Sequence, residues 1–315
     1  MDWKRRLEEV IVIVGPTCSG KTYLSLLLAE YLDTEIISAD SRQIFRLLNI
    51  GTAKPSVEQL RRVTHHFVDE INPDDEFNVS SFANKSEIII RNLFERKKIP
   101  IVVGGSGLYI KSLIDGISES ADTDKEIRTK LMELRLLYGN DFLYDELKKV
   151  DEISAKKMLP QNWKRVIRAL EVFRLTGKPI WYHHVHQTKT NSFNYNQIGL
   201  LWDRNLLYQN IENRVDKMLE DGLVNEVKKI LKMGYSKSIN SLNTVGYKEI
   251  IQYLENEISF ERSVELIKRN TRRYAKRQMT WFNADKRINW TQIDSEKDLD
   301  LLAQNILKEI NERKN

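Results

Sequence analysis

Apolar positions in the first third of the chain switch repeatedly between two periods. Val10-Ile-Val-Ile-Val14 is an unbroken β-branched run, the signature of a strand buried on both faces of a parallel sheet. Tyr23 to Tyr31 is leucine-rich at helical spacing, and Glu35-Ile-Ile-Ser-Ala-Asp40 reads as a second short strand. A third strand is expected at His66-Phe-Val-Asp-Glu-Ile71. Asn78 suits an N-cap for a helix whose apolar residues Phe82, Ile89, Ile90, Leu93 and Phe94 recur at helical intervals. Ile99-Pro-Ile-Val-Val103 is then another buried strand. Alternation of this kind predicts βαβ units on a parallel sheet.

The strand pattern stops from roughly Ile117 to Asn196. Asp122 to Tyr138, Asp141 to Val150 and Asn162 to Thr176 read as amphipathic helices, the last ended by Gly177 and Pro179. Gln197-Ile-Gly-Leu-Leu-Trp202 reads as a strand again. After residue 204 the pattern is helical as far as Arg287-Ile-Asn-Trp290, an expected edge strand, and a final helix follows. Two domains are expected: residues 1–114 with 197–315, and a helical insertion at 115–196.

Composition narrows this little. The 315 residues are 41% hydrophobic and 30% charged with a net charge of +5, so a basic surface must come from local clustering. The one cysteine, Cys18, excludes an internal disulfide and a cysteine-built zinc site. The apolar run after Met-Asp-Trp-Lys-Arg-Arg is too short for a membrane span or a signal peptide. A cytoplasmic protein without membrane attachment is expected.

The chemistry concentrates in three places. Gly15-Pro16-Thr17-Cys18-Ser19-Gly20-Lys21-Thr22 matches the G-x-x-x-x-G-K-[ST] phosphate loop, between a buried strand and a helix. Its backbone N–H groups and the helix N-terminus would face an anion, with Lys21 reaching over it and the Thr22 hydroxyl offered to Mg²⁺. The expected fold is therefore α/β: a P-loop-type parallel sheet flanked by helices, with an inserted all-helical subdomain. Asp40 ends the second strand, on the sheet edge that carries the glycine loop. A carboxylate there can hold Mg²⁺ through water, accept a proton, or N-cap a helix over Ser41-Arg-Gln-Ile-Phe.

No apolar strand ends in the carboxylate of a typical Walker B, which argues against ATP hydrolysis. The strand ending at Val103 delivers Gly104-Gly105-Ser106-Gly107 instead, glycines that would let a bulky ligand approach the backbone. The third place is basic. Arg269, Arg272, Arg273, Lys276 and Arg277 recur at helical spacing among Tyr274, Trp281 and Phe282, a stripe suited to phosphate contacts and base stacking. Asn162-Trp-Lys-Arg-Val-Ile-Arg168 adds a second basic helix start. His65-His66 with Asp69, and His183-His184-His186, lack matching outer ligands and are not read as metal sites.

Taken together, these stretches resemble the tRNA dimethylallyltransferase (tRNA isopentenyltransferase) family. The resemblance rests on the phosphate loop, Ser38-Ala-Asp-Ser-Arg-Gln43, Gly51-Thr-Ala-Lys-Pro55, His65-His66 and Gly104-Gly-Ser-Gly-Leu-Tyr109. It continues through Arg165-Val-Ile-Arg-Ala-Leu-Glu-Val172, Gly246-Tyr-Lys-Glu249 and Thr271-Arg-Arg-Tyr-Ala-Lys-Arg-Gln-Met-Thr-Trp281. It implies Mg²⁺-assisted transfer of a dimethylallyl group from its diphosphate to N6 of the adenosine 3′ to the anticodon in tRNA. The glycine loop, residues 15–22, would hold the leaving pyrophosphate.

By the same resemblance Asp40 accepts the N6 proton, and Thr17 and Arg214 lie against the diphosphate. Asp40, Ser41, Arg42, Gln43, Ser106, Arg128, Gln161, Asn162, Trp163, Lys164 and Arg165 match positions at or near the tRNA. The chain departs from the family at three points: Ser106 replaces a usual Thr, Cys18 a usual Ala, and Asn162-Trp163 a usual Asn-Asp. It also ends without the zinc finger of eukaryotic relatives, which favours a bacterial type, and a monomer is expected. The competing readings are a small-molecule P-loop kinase, an enzyme prenylating free adenine nucleotides, and an RNA-binding module with a vestigial loop. The basic stripe argues against the second, and the intact set Lys21, Thr22 and Asp40 against the third.

Overall fold

The structure, a computed structural model, describes residues 9–116, 124–185 and 193–314. The chain divides into two compact units, Met1–Ile114 with Ser192–Asn315 and Asp115–Asn191.

In the first unit, strands β1 (Glu9–Val14), β2 (Ile36–Ser38), β3 (His65–His66), β4 (Ile101–Gly104), β5 (Asn194–Trp202) and β6 (Asn289–Ile293) form one sheet. Its order is β3-β2-β4-β1-β5-β6, and every neighbouring pair is parallel. Helices α1 (Lys21–Tyr31), α2 (Val57–Arg62), α3 (Val79–Glu95) and α4 (Gly107–Asp115) alternate with the first strands. The period of two explains the β-branched runs. Val10, Val12 and Val14 join Ile37 and Val102 in one core, while Ile11 and Ile13 join Ile36, Ile101, Ile198 and Leu200 in another. Each face is covered, so β1 is apolar from Val10 to Val14.

The expected third strand is corrected. Only His65 and His66 pair with β2, because Phe67 and Asp69 take left-handed φ values of 63° and 60° and turn the chain away. Ile71 makes a lone bridge to Phe45 instead. Strand β5 begins at Asn194, three residues before the apolar pattern, and pairs with β1 along its length. The α3 cap is as expected, with Asn78 Oδ1 accepting the Ser81 N–H at 2.8 Å.

The helical second unit contains α5 (Lys125–Val150), α6 (Glu152–Ala155), a 3₁₀ turn at Pro160–Asn162, α7 (Trp163–Thr176) and α8 (Ile180–Val185). Leu131, Leu143, Leu147, Val166, Ile167 and Leu170 form its own core. Gly139 (φ 85°, ψ −179°) breaks α5 into the two segments that the periodicity separates. Residues 122 and 123, at the expected start of the first segment, lie outside the described residues. The first unit resumes with α9 (Arg204–Glu220), α10 (Leu223–Lys232), α11 (Tyr247–Leu254), α12 (Phe260–Phe282) and α13 (Glu296–Lys314). Among the described residues no helix is long and apolar enough to cross a membrane.

Candidate active site

Because β4 lies between β2 and β1, the loops leaving these three strands meet at one edge of the sheet. They carry the phosphate loop, Asp40 and Gly104 to Ser106. Together with α9, α12 and residues 243–248 they line a cavity of about 670 Å³.

Local chemistry shapes the phosphate loop. Gly20 takes φ +86°, and a Cβ there would lie 2.4 Å from Leu299 Cδ1, so the residue that opens α1 has to be glycine. Trp202 Nε1 donates to the Ser19 carbonyl at 3.0 Å. Cys18 adopts φ 64°, and the Arg214 guanidinium from α9 reaches both its Sγ (3.6 Å) and Thr17 Oγ1 (3.3 Å). Thr17 and Arg214, 197 positions apart in sequence, therefore meet at the loop.

Lys21 Nζ donates to the Pro16 carbonyl at 2.5 Å. Burial, and after it the charge of Arg214, pulls its ammonium down to about 8, against the opposing pull of Cys18 and Asp40. An anion in the cavity would restore the charge. The loop is thus an electropositive cradle suited to an anion.

Asp40 does not cap a helix, since residues 41–44 form a turn. Its Oδ1 accepts the N–H groups of Arg42 (2.8 Å) and Gln43 (3.3 Å), which fixes the carboxylate and leaves Oδ2 for a substrate. The Ser106 hydroxyl accepts the Ser41 N–H at 3.1 Å, latching this turn to the end of β4. Burial lowers Arg42, whose Nη1 donates to the Asn240 carbonyl at 2.8 Å. Burial raises Tyr274, with Asp40 as the next cause, so a neutral phenol stands near the carboxylate. Tyr109 is pushed up to about 12 by burial as well.

The glycines after β4 serve a purpose different from the one expected. A Cβ on Gly104 would lie 2.1 Å from the Ala39 carbonyl oxygen, and one on Gly105 would lie 2.1 Å from Gln278 Nε2. On Gly107 it would strike Trp281, 2.1 Å from Cδ1. The missing Cβ atoms make room for the protein's own backbone and side chains, and Gly104 and Gly105 also line the cavity.

Gln278 is the residue that the sequence reasoning missed. It is 6% exposed, accepts the Thr17 N–H at 2.8 Å and donates to the Gly105 carbonyl at 3.0 Å. Its signals in sequence are its place in the string Thr271–Trp281 that carries the resemblance and its helical register with the cavity-lining Tyr274 and Thr271.

The basic stripe divides. Arg273, Lys276 and Arg277 are exposed on α12, as is Trp281. Arg272 instead pairs with Glu212 at 2.6 Å, and Arg269 is half-buried with its Nε unpartnered. Gln43 also turns inward, donating to the carbonyls of Thr52 (3.2 Å) and Ala53 (3.1 Å).

In the helical unit, Gln161, Lys164 and Arg165 are exposed, whereas three other expected contacts are engaged locally. Arg128 and Arg168 both pair with the fully buried Glu171, at 2.8 and 2.9 Å. The Asn162 side chain accepts the Leu159 N–H at 2.9 Å, and Trp163 packs under Arg135 at 4.0 Å.

His66 pairs with Glu35 at 2.6 Å, and His65 Nδ1 bonds the Val63 carbonyl at 2.8 Å. His183 bonds Thr176 at 3.0 Å, while His186 and the side chain of His184 lie outside the described residues. Among the described residues no three His, Cys, Asp or Glu side chains converge as a metal cage. The exposed Thr22 hydroxyl and the Asp40 carboxylate line one cavity. That donor set fits Mg²⁺, which takes most of its ligands from substrate oxygens and water.

Comparison with known proteins accords with this geometry. The IPP transferase family model matches residues 43–285. A tRNA dimethylallyltransferase of Thermoanaerobacter sp. (strain X514) is 43% identical over 305 residues, covering 95% of this chain and 96% of the relative. One of Pelotomaculum thermopropionicum is 44% identical over 309 residues, covering 98% of each. The solved full-length tRNA isopentenylpyrophosphate transferase of Bacillus halodurans has a TM-score of 0.70 at 37% identity, covering 98% of both chains. A eukaryotic dimethylallyltransferase described as acting on tRNA gives 0.81 at 28% identity, covering 93% of this chain and 76% of its own. With the family model matched over most of its length and relatives above 40% identical along nearly all of it, the chain belongs to the IPP transferase family.

Proposed function

We infer that the protein is a tRNA dimethylallyltransferase, moving the dimethylallyl group of dimethylallyl diphosphate to N6 of the adenosine 3′ to the anticodon and releasing pyrophosphate. One observation supports this above the others: the phosphate loop and the fixed Asp40 carboxylate line the same cavity, and among the described residues Asp40 is its one acidic lining side chain.

The allylic C1–O bond breaks and the N6–C1 bond forms. Lys21, Arg214 and the N–H groups of residues 18–22 bind the diphosphate and stabilise the charge that grows on it as the bond breaks. Asp40 Oδ2 takes the N6 proton. Mg²⁺, held by the Thr22 hydroxyl together with diphosphate oxygens, would supply further positive charge to the leaving group. The target base leaves the anticodon stack to reach the cavity. Arg273, Lys276 and Arg277 hold tRNA phosphates, and the exposed Gln161, Lys164 and Arg165 add contacts from the helical unit.

The test offers dimethylallyl diphosphate with unmodified tRNA or with AMP, and separately ATP with a set of kinase acceptors, then digests and identifies the products. N6-dimethylallyladenosine from tRNA supports the reading. Prenylated AMP with unmodified tRNA would assign free nucleotide as acceptor, and a phosphorylated product would make the protein a kinase.

A further inference from the structure

Gln278 is a buried amide with both ends occupied. Oε1 accepts the Thr17 N–H inside the phosphate loop, and Nε2 donates to the Gly105 carbonyl at the end of β4. Thr17 in turn offers Oγ1 to Arg214. Gly105 lacks the Cβ that would lie 2.1 Å from Gln278 Nε2, so the neighbouring loop is built around this amide. Gln278 stands one residue beyond Arg277 on the helix that presents Arg273, Lys276 and Arg277 to solvent.

We propose that Gln278 is a positioning residue for diphosphate binding, locking Thr17 and the phosphate loop to helix α12 and to the end of β4. The inference rests on the functional reading above. Without the amide, the Thr17 N–H and the Gly105 carbonyl lose their partners in a buried setting, and the loop is free to shift. A displacement of even about 1 Å there weakens the grip on a leaving diphosphate. The exposed arginines of α12 are untouched by the loss, so RNA affinity and diphosphate affinity should separate.

The experiment measures inorganic pyrophosphate binding with Mg²⁺, tRNA binding, and the kcat and KM for dimethylallyl diphosphate. The proteins are wild type, Gln278→Met, Gln278→Ala, Gly105→Ala and the double variant Gly105→Ala/Gln278→Ala. The methionine keeps the bulk of the side chain and removes both hydrogen bonds. We expect pyrophosphate affinity about tenfold or more weaker in Gln278→Met, from one buried donor and one acceptor left unpaired. The KM for the donor rises, kcat falls, and tRNA affinity stays within about twofold, because the cationic contacts are intact.

Gly105→Ala pushes the same amide aside from the opposite direction and should reproduce the loss. In the Gln278→Ala background, where the added methyl has room, Gly105→Ala should have little further effect, the non-additivity of two residues sharing one contact. Equal losses of pyrophosphate and tRNA binding would overturn the inference, as would a Gly105→Ala effect of the same size in both backgrounds. Wild-type protein that binds pyrophosphate yet prenylates no tRNA would overturn the functional reading alone. Unchanged pyrophosphate affinity in Gln278→Met would overturn this inference alone.

Discussion

Diphosphate binding should carry a proton with it, and Lys21 sets the amount. In the free protein, burial and Arg214 lower its ammonium from 10.5 to about 8, equivalent to about 3 kcal/mol of disfavoured charge. A bound diphosphate supplies the missing counter-charge and returns Lys21 to full protonation. Binding at pH 8 should then take up about half a proton, and almost none at pH 6.5. The apparent affinity should be flat below pH 7 and fall about tenfold between pH 7 and 9, as free Lys21 deprotonates.

The sign for stability follows from the same shift. The folded-state value lies below the unfolded one, so the cost of burying the charge is fully present below pH 8 and is relieved as pH rises from 8 to 10.5. Calorimetric titration of pyrophosphate in two buffers of different ionisation enthalpy counts the protons directly. Lys21→Arg, charged throughout the range, provides the reference that subtracts the ionisation of the ligand itself. Equal proton uptake and equal pH dependence in wild type and Lys21→Arg would refute the reasoning.

Asp40→Asn keeps an oxygen for the Arg42 and Gln43 N–H groups but loses the proton acceptor. It should cut single-turnover prenyl transfer by about 10²–10⁴ with pyrophosphate binding preserved. Arg273→Ala, Lys276→Ala and Arg277→Ala should each weaken tRNA binding and reduce the magnitude of its log–log salt slope by about one. Arg272→Ala, whose guanidinium is paired with Glu212, should change that slope less in the same filter-binding series. Glu226 accepts the N–H groups of Asn49, Ile50 and Gly51 and the Tyr247 hydroxyl, at distances of 2.6 to 3.3 Å. Its removal in Glu226→Ala should destabilise the protein by about 2–3 kcal/mol, read as a lower urea midpoint at unchanged m-value.

The sheet was legible where both faces of a strand are buried. Val10 to Val14 and Ile99 to Val103 announce themselves because no polar residue interrupts them. His66 to Ile71 misled because Phe67, Val68 and Ile71 are strand-favouring types, while the left-handed conformation that breaks the strand at Phe67 leaves no mark in residue type. The phosphate loop and Asp40 were legible because glycine spacing and strand ends are local features.

Partnerships across long separations were not legible. Arg272 reads as one more arginine in a stripe until α9 brings Glu212 beside it, and Arg128 until α7 brings Glu171. The glycines at 104, 105 and 107 were correctly singled out for close approach. What approaches them is Ala39, Gln278 and Trp281, each distant in the chain, and sequence alone could not supply those names.

In the proposed reaction the phosphates at this loop leave while a carbon group is transferred. The most direct measurement follows dimethylallyl diphosphate carrying label in both its carbon chain and its phosphates through one reaction with unmodified tRNA. Pyrophosphate release should equal in amount the dimethylallyl carbon recovered as N6-dimethylallyladenosine from the anticodon loop, with no phosphate label in the RNA. Pyrophosphate released without carbon in the RNA, or phosphate transferred to an acceptor, would contradict it.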